Sequence, residues 1–300
     1  MRKFIISFIF FAIAALLAPA QSQMDVNMSE GGYGLLKTNF GVTYDHGWNS
    51  AVNAMSVRGS YEFLRTRKFT VTANLRYAST EMSFNPSDLS EGFDPGDIGL
   101  NGWHHSGQTG VTSTFRSKLA GKPLMAMALA NAEWGKGGFA RISGIAMGIV
   151  MLRANRATQF GIGALVMLNT SSRIPAFPIL MYRHAINEKW RINIYGGIMG
   201  LEYAPTRTDL LSMGGDINVK SFYFKPSDSR LPSKCRFTNT SFRPQIKYRR
   251  RLMANLYLDV AGGASVKMSC RANGVSSRKE YFDCSQKVAP FIQTGISYSL

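Results

Sequence analysis

The chain closes on Val288-Ala289-Pro290-Phe291-Ile292-Gln293-Thr294-Gly295-Ile296-Ser297-Tyr298-Ser299-Leu300. Val288, Pro290, Ile292, Thr294, Ile296, Tyr298 and Leu300 fall on one face, with Ala289, Phe291, Gln293, Gly295, Ser297 and Ser299 on the other. A period of two is that of a strand, not a helix. The run is about twice the ~5 to 6 residues of an ordinary soluble strand. It matches the ~9 to 11 residues with which a tilted strand crosses a bilayer.

The other end of the chain supports a membrane reading. Met1 to Ala20 opens with Arg2 and Lys3, runs apolar from Phe4 to Leu17 and ends on Ala18-Pro19-Ala20, the order of a cleavable secretory signal. This predicts a signal peptide over 1–20, a flexible segment over 21–32 and one barrel domain over 33–300. Losing Arg2 and Lys3 lowers the formal charge from +17 to +15, still strongly basic. Beyond the signal no apolar run approaches the ~20 residues of a membrane helix. Only helices and closed barrels satisfy backbone polar groups in hydrocarbon, so the expected fold is an all-β transmembrane antiparallel up-and-down barrel. The terminal strand, with Tyr298 and an apolar last residue, has the form of the closing strand and assembly signal of a Gram-negative outer-membrane barrel. The expected partners are outer-membrane lipids, lipopolysaccharide and the barrel-assembly machinery.

Alternating runs separated by turns fill the interval. The spacing predicts strands over Tyr33–Tyr44, Met55–Phe63, Phe69–Tyr77, Thr109–Lys118, Leu124–Trp134, Phe139–Arg153, Phe160–Leu168 and Phe177–His184. Leu210–Phe224, Thr240–Arg249, Asn255–Ser269 and the terminal run follow. Trp190 to Ala204 counts as one strand or, broken at Gly196-Gly197, as Trp190–Tyr195 and Met199–Tyr203. Strand parity favours the break, which gives fourteen strands; twelve is the alternative. Met and Ala on both faces of Leu124–Trp134 would also suit a short helix.

Four segments carry a resemblance: Ser171 to Pro178, Tyr182-Arg183-His184 with Asn187 to Trp190, Leu201 to Pro205, and Phe242-Arg243-Pro244 with Lys247 to Arg250. They resemble an uncharacterised family of outer-membrane β-barrels common in Bacteroidota. The resemblance covers about residues 33 to 300 and implies a barrel and a location, with no activity, ligand or catalytic residue to carry over.

The polar faces give the lumen candidates: Arg58, Glu62, Arg76, Arg116, Arg191, Glu202, Asp216, Lys220, Arg243, Lys247, Asp259 and Lys267. A basic pore wall would concentrate small polar or anionic solutes. Pairing of both signs across the interior would instead plug it, leaving a structural or surface-interaction barrel. The positives are spread over strands without the grouping that nucleic-acid recognition uses, so no nucleic-acid partner is expected.

Other chemistry is sparse. The polar break Asn85 to Gln108 holds Asp88, Glu91, Asp94, Asp97, His104 and His105, in no metal-ligand spacing, and is expected to be a solvated external loop. His46 and His184 are isolated. A phospholipase would need a Ser held by a His that a third group orients; no such signature is present, so no catalytic residue, metal or cofactor is expected. Of three cysteines, Cys270 and Cys284 flank the last external loop, and Cys235 lies late in the loop before it. In the oxidising envelope a Cys270–Cys284 bridge competes with Cys235–Cys270, and either leaves one thiol over.

Overall fold

A computed structural model describes residues 39–48, 51–90, 92–168, 176–195, 198–275, 279–285 and 288–299. The expected signal peptide, the segment 21–32 and the first six residues of the expected first strand lie outside them. The alternating runs form β1 (Asn39–Gly47), β2 (Ala51–Arg65), β3 (Phe69–Met82), β4 (Gly102–Leu119), β5 (Lys122–Gly135), β6 (Gly138–Ala154) and β7 (Thr158–Leu168). They continue as β8 (Ala176–Ala185), β9 (Trp190–Tyr195), β10 (Ile198–Tyr203), β11 (Asp209–Phe224), β12 (Cys235–Arg251), β13 (Leu256–Gly274), β14 (Glu280–Asp283) and β15 (Ala289–Ser299).

Fourteen of these, β1–β13 and β15, close into one antiparallel barrel. Closure runs through β15, which sets Ser299 opposite Asn39 of β1 and Tyr298 opposite Leu256 of β13. β14 is a short addition on the far end of β13. Trp190 to Ala204 is indeed two strands, with Tyr195 opposite Ile198 across the break. Leu124 to Trp134 is strand throughout, because its pairing with β4 and β6 overrides a weak helical propensity.

Connections at the end holding Asn39 and Ser299 are short. Ala120 (φ 48) and Gly121 (φ 76) make one of them, a two-residue turn with both residues left-handed, as hairpin twist prefers. The long connections 83–101 and 225–234 lie at the opposite, outer end, where β14 also sits.

Apolar residues face out around the wall. Ile142 is 72% exposed, Tyr61 62%, Leu168 62%, Met213 57% and Ile296 52%. Trp190 stacks on Tyr203 at 4.5 Å toward the inner end, where Phe40, Tyr61, Phe63 and Tyr298 are also exposed, and Trp48 and Trp103 are exposed toward the outer end. An apolar band between aromatic girdles is the outer surface of a membrane barrel.

On β6 the larger apolar residues face inward. Its large residues Ile145, Met147, Ile149 and Met151 are buried, while Gly144, Ala146 and Gly148 alternate with them on the outer side. Both faces of this sector are apolar, so hydropathy cannot tell inside from outside there; the strand pairing decides it.

Candidate functional site

The lumen is divided by its own wall. β9 and β10 are six residues each, and β10 pairs with β11 only as far as Gly215. From Asp216 to Phe224, β11 ladders with β12 alone. The freed outer half crosses to strands on the opposite side of the ring. Phe222 stacks on His104 of β4 at 3.9 Å, and the Tyr223 hydroxyl donates to Glu133 of β5. Lys234, in the β11–β12 loop, donates to the carbonyls of Gly137, Gly138 and Phe139, the last at 2.7 Å.

One face of this partition is polar. Asn218 and Lys220 look into a cavity of about 100 Å³ that is also lined by Asp45, Arg58, Arg76, Gln108, Glu133, Arg236 and Gln293. Asp45 accepts from Lys220 at 2.9 Å and from Arg243 at 2.8 Å, and the Arg243 guanidinium lies 4.2 Å over the Phe291 ring. Glu133 pairs with Arg141 at 3.2 Å and also accepts from Ser143 and Tyr223. Arg58 and Arg76 stand directly opposite each other on β2 and β3, an arrangement of like charges that is unfavourable unless something negative or well hydrated lies between them. The buried Nε atoms of Arg58 and Arg236 make no hydrogen bond among the described residues. Four basic side chains therefore face two acidic ones across this cavity.

The other face is apolar over Ile217 and Val219, before Tyr223 on the same face reaches Glu133. Ile217 and Val219 pack with Met127, Leu129, Ile145, Met147, Ile149, Met151, Leu165, Met167, Phe177, Ile179 and Met181 from β5–β8, with Tyr195, Phe242 and Met268 at the margin. Tyr195 brings a hydroxyl to the edge of this cluster.

A cap covers the outer mouth. Phe84, Leu89, Phe93, Ile98 and Leu100 of the 83–101 connection bury themselves against Phe222, Phe224, Phe237, Phe282 and the cysteines. The solvated loop expected over Asn85 to Gln108 is thus a folded element ending at Asn101, because its five apolar residues find a partner in the β11–β14 ends. His104 and His105 sit on β4; His104 Nε2 bonds the Leu100 carbonyl oxygen at 2.8 Å and His105 bonds the Tyr77 hydroxyl at 2.7 Å. Asp88 and Asp94 accept from backbone N–H groups of their own turns, Glu91 lies outside the described residues, and no group of three metal-ligating side chains converges among the described residues.

Cys270 is bonded to Cys284, and Cys235 is free and buried. Cys235 and Cys270 are strand residues, since β12 starts five residues earlier than the alternation indicated and β13 runs five residues further. The bridge holds the cap in place through backbone bonds: Ser90 N to Asp283 O at 3.0 Å and Ser285 N to Asp88 O at 2.7 Å.

The remaining sequence candidates face inward near the inner end or along the wall. Asp259 pairs with Arg249 (2.8 Å) and Lys247 (3.3 Å), Arg191 with Glu202 (3.6 Å), and Glu62 with Arg65. Asp216 accepts from Gln245 at 2.8 Å, Lys267 reaches Asp283 at 3.4 Å, and Arg116 shares the inward parity of Thr112 and Thr114. Asp45, Glu133, Arg141, Tyr223 and Arg236 were missed. Asp45 lies one residue past the expected end of the first strand, and Arg236 in what reads as loop; extending either period would have found them.

His184 Nδ1 bonds Thr158 Oγ1 at 2.9 Å, and no carboxylate orients that ring among the described residues. His46 bonds Asn53 at 2.8 Å beside Trp48.

No family model and no curated protein matches the sequence. Among solved structures, an outer-membrane channel from Pseudomonas putida F1 is 10% identical, covering 91% of this chain and 100% of that one at a TM-score of 0.42. The P. putida toluene transporter TodX is 10% identical over 89% of this chain and 91% of its own, at 0.42. The Salmonella typhi outer-membrane phospholipase, a dimer with bound calcium, is 9% identical over 96% and 97%, at 0.38. At these scores the likeness is one of general barrel form and carries no substrate or activity to this chain. The closed ladder and the outward apolar band are those of an outer-membrane β-barrel, and the bacterial outer membrane is where such a wall is satisfied.

Proposed function

We propose that the protein is a non-catalytic, narrow passive conduit whose polar compartment favours small anionic solutes. The observation that carries this reading is the Arg58–Arg76 pair, set face to face in a cavity shared with Arg236 and Lys220. Fixed positive charge within low-dielectric walls concentrates counter-ions. Membership of the Bacteroidota barrel family, and lipopolysaccharide and the assembly machinery as partners, belong to the same proposal. The test is conductance of the folded protein in planar bilayers. Anion selectivity is expected, and Arg58→Glu with Arg76→Glu should move the reversal potential toward cations.

A second reading rests on the cap, whose apolar core closes over the outer mouth: a plugged barrel that presents its outer surface to a partner. Absence of conductance both in the native protein and with the cap released by Cys270→Ser and Cys284→Ser would replace the conduit with this scaffold.

A further inference from the structure

The apolar compartment lies where a barrel normally holds water and polar side chains, and the wall beside it is low. Six-residue strands rising about 3.3 Å per residue at a tilt of roughly 40° reach only about 15 Å along the membrane normal, against an apolar band of about 25 Å. Above the β9–β10 hairpin, Ala176–Leu180 of β8 ladder only with β7, and Asp216–Phe224 of β11 only with β12. Among the described residues, two strand edges therefore flank a seam in the outer half of the wall that no hydrogen-bond ladder closes.

Behind that seam sit Phe177, Ile179 and Met181 of β8 and Ile217 and Val219 of β11. Five buried methionines line the wedge: Met127, Met147, Met151, Met167 and Met181. Unbranched, polarisable thioethers repack around guests of varied shape at little cost. Between these side chains, away from the backbone of the strand edges, a polar guest would leave its own groups unsatisfied. At this depth, the bilayer beside the seam offers one molecule in quantity, the hydrocarbon chain of a lipid.

We propose that the wedge between β5–β8 and the back of β11 is a binding site for a lipid acyl chain, entered sideways between β8 and β11 from the outer leaflet. It adjoins the polar compartment at Val219 and does not depend on any solute passing there. Among the described residues no strand pairing has to break for entry, and the buried side chains of the cluster have to part.

The test uses the full chain in liposomes of phosphatidylcholine that carries a diazirine midway along one acyl chain. After irradiation, adducts are mapped by peptide mass spectrometry. Adducts on inward Met167, Phe177 and Met181 are expected alongside those on outward Ile162, Leu168 and Leu180. Ile179→Phe, which adds bulk at the seam, should lose the inward adducts on Met167 and Phe177 and keep the outward ones. Adducts confined to the outward residues would overturn the proposal. So would inward adducts that also appear on Thr72 and Thr112 of the polar sector, because the probe would then have entered by the mouth.

Discussion

The two faces of β11 show one strand organising two opposite interiors. Toward β1–β4 its Asn218 and Lys220 meet Asp45, Arg58 and Arg76; toward β5–β8 its Ile217 and Val219 meet methionine, isoleucine and phenylalanine. The polar side is held by few, directional and charge-assisted contacts, so removing one partner leaves another buried and unmatched. The apolar side is held by many weak contacts that can be redistributed. One compartment should therefore respond sharply to single substitutions, and the other gradually.

The largest expected effect breaks the polar side. Asp45→Ala leaves Lys220 and Arg243 buried without their shared carboxylate, which should cost about 3–5 kcal/mol. The check is the urea midpoint of the folded band on gels of detergent-solubilised protein. A midpoint as high as the wild type would mean that water already solvates this pair and that the compartment is wide.

Next in size is the cap shared by both. Cys270→Ser with Cys284→Ser removes a cross-link spanning 14 residues, worth about 3 kcal/mol as a constraint on the unfolded chain. The visible consequence should be proteolytic cutting within 83–101, which the intact protein should resist because that segment's apolar residues are buried. On the apolar side Met147→Ala should cost about 2 kcal/mol, and Met147→Leu less than about 1.5 kcal/mol. If Met147→Ala equals Asp45→Ala, the contrast between the compartments fails.

Much of this was readable in the residues. The period of two over Val288 to Leu300, the break at Gly196-Gly197 and the inward charges of β2, β3 and β12 come from local alternation, and strand pairing enforces it. The division of the lumen was not readable. Nothing in Asp216 to Phe224 distinguishes a strand that stays in the wall from one that folds across it; that follows from β10 being too short to pair with it, a relation between segments. Nor could β5–β8 be oriented, since Ile145 and Val150 are equally greasy and only the register says which is inside. The cap was hidden because Phe84, Leu89, Phe93, Ile98 and Leu100 are spaced irregularly among turn residues, with no period to count.

The smallest expected effect sharpens the comparison from outside the membrane. Asp228, in the β11–β12 loop, accepts from the Arg230 guanidinium at 2.6 Å and from the Arg230 backbone N–H at 2.8 Å. These bonds hold its carboxyl below the usual carboxylate range. A depressed value contributes stability above the unfolded-state value and loses it as the pH falls through the folded one, so any contribution vanishes only in acid. The pair is solvent-facing and therefore weak, and Asp228→Asn at neutral pH should leave the urea midpoint unmoved. Arg230 has a second contact, 4.2 Å over the Phe93 ring of the cap. Arg230→Ala should consequently raise cutting within 83–101 while Asp228→Asn does not. If both substitutions raise it equally, the ion pair and not the ring contact fastens the loop, and the cap is held by the same charge-dependent chemistry as the polar compartment beneath it.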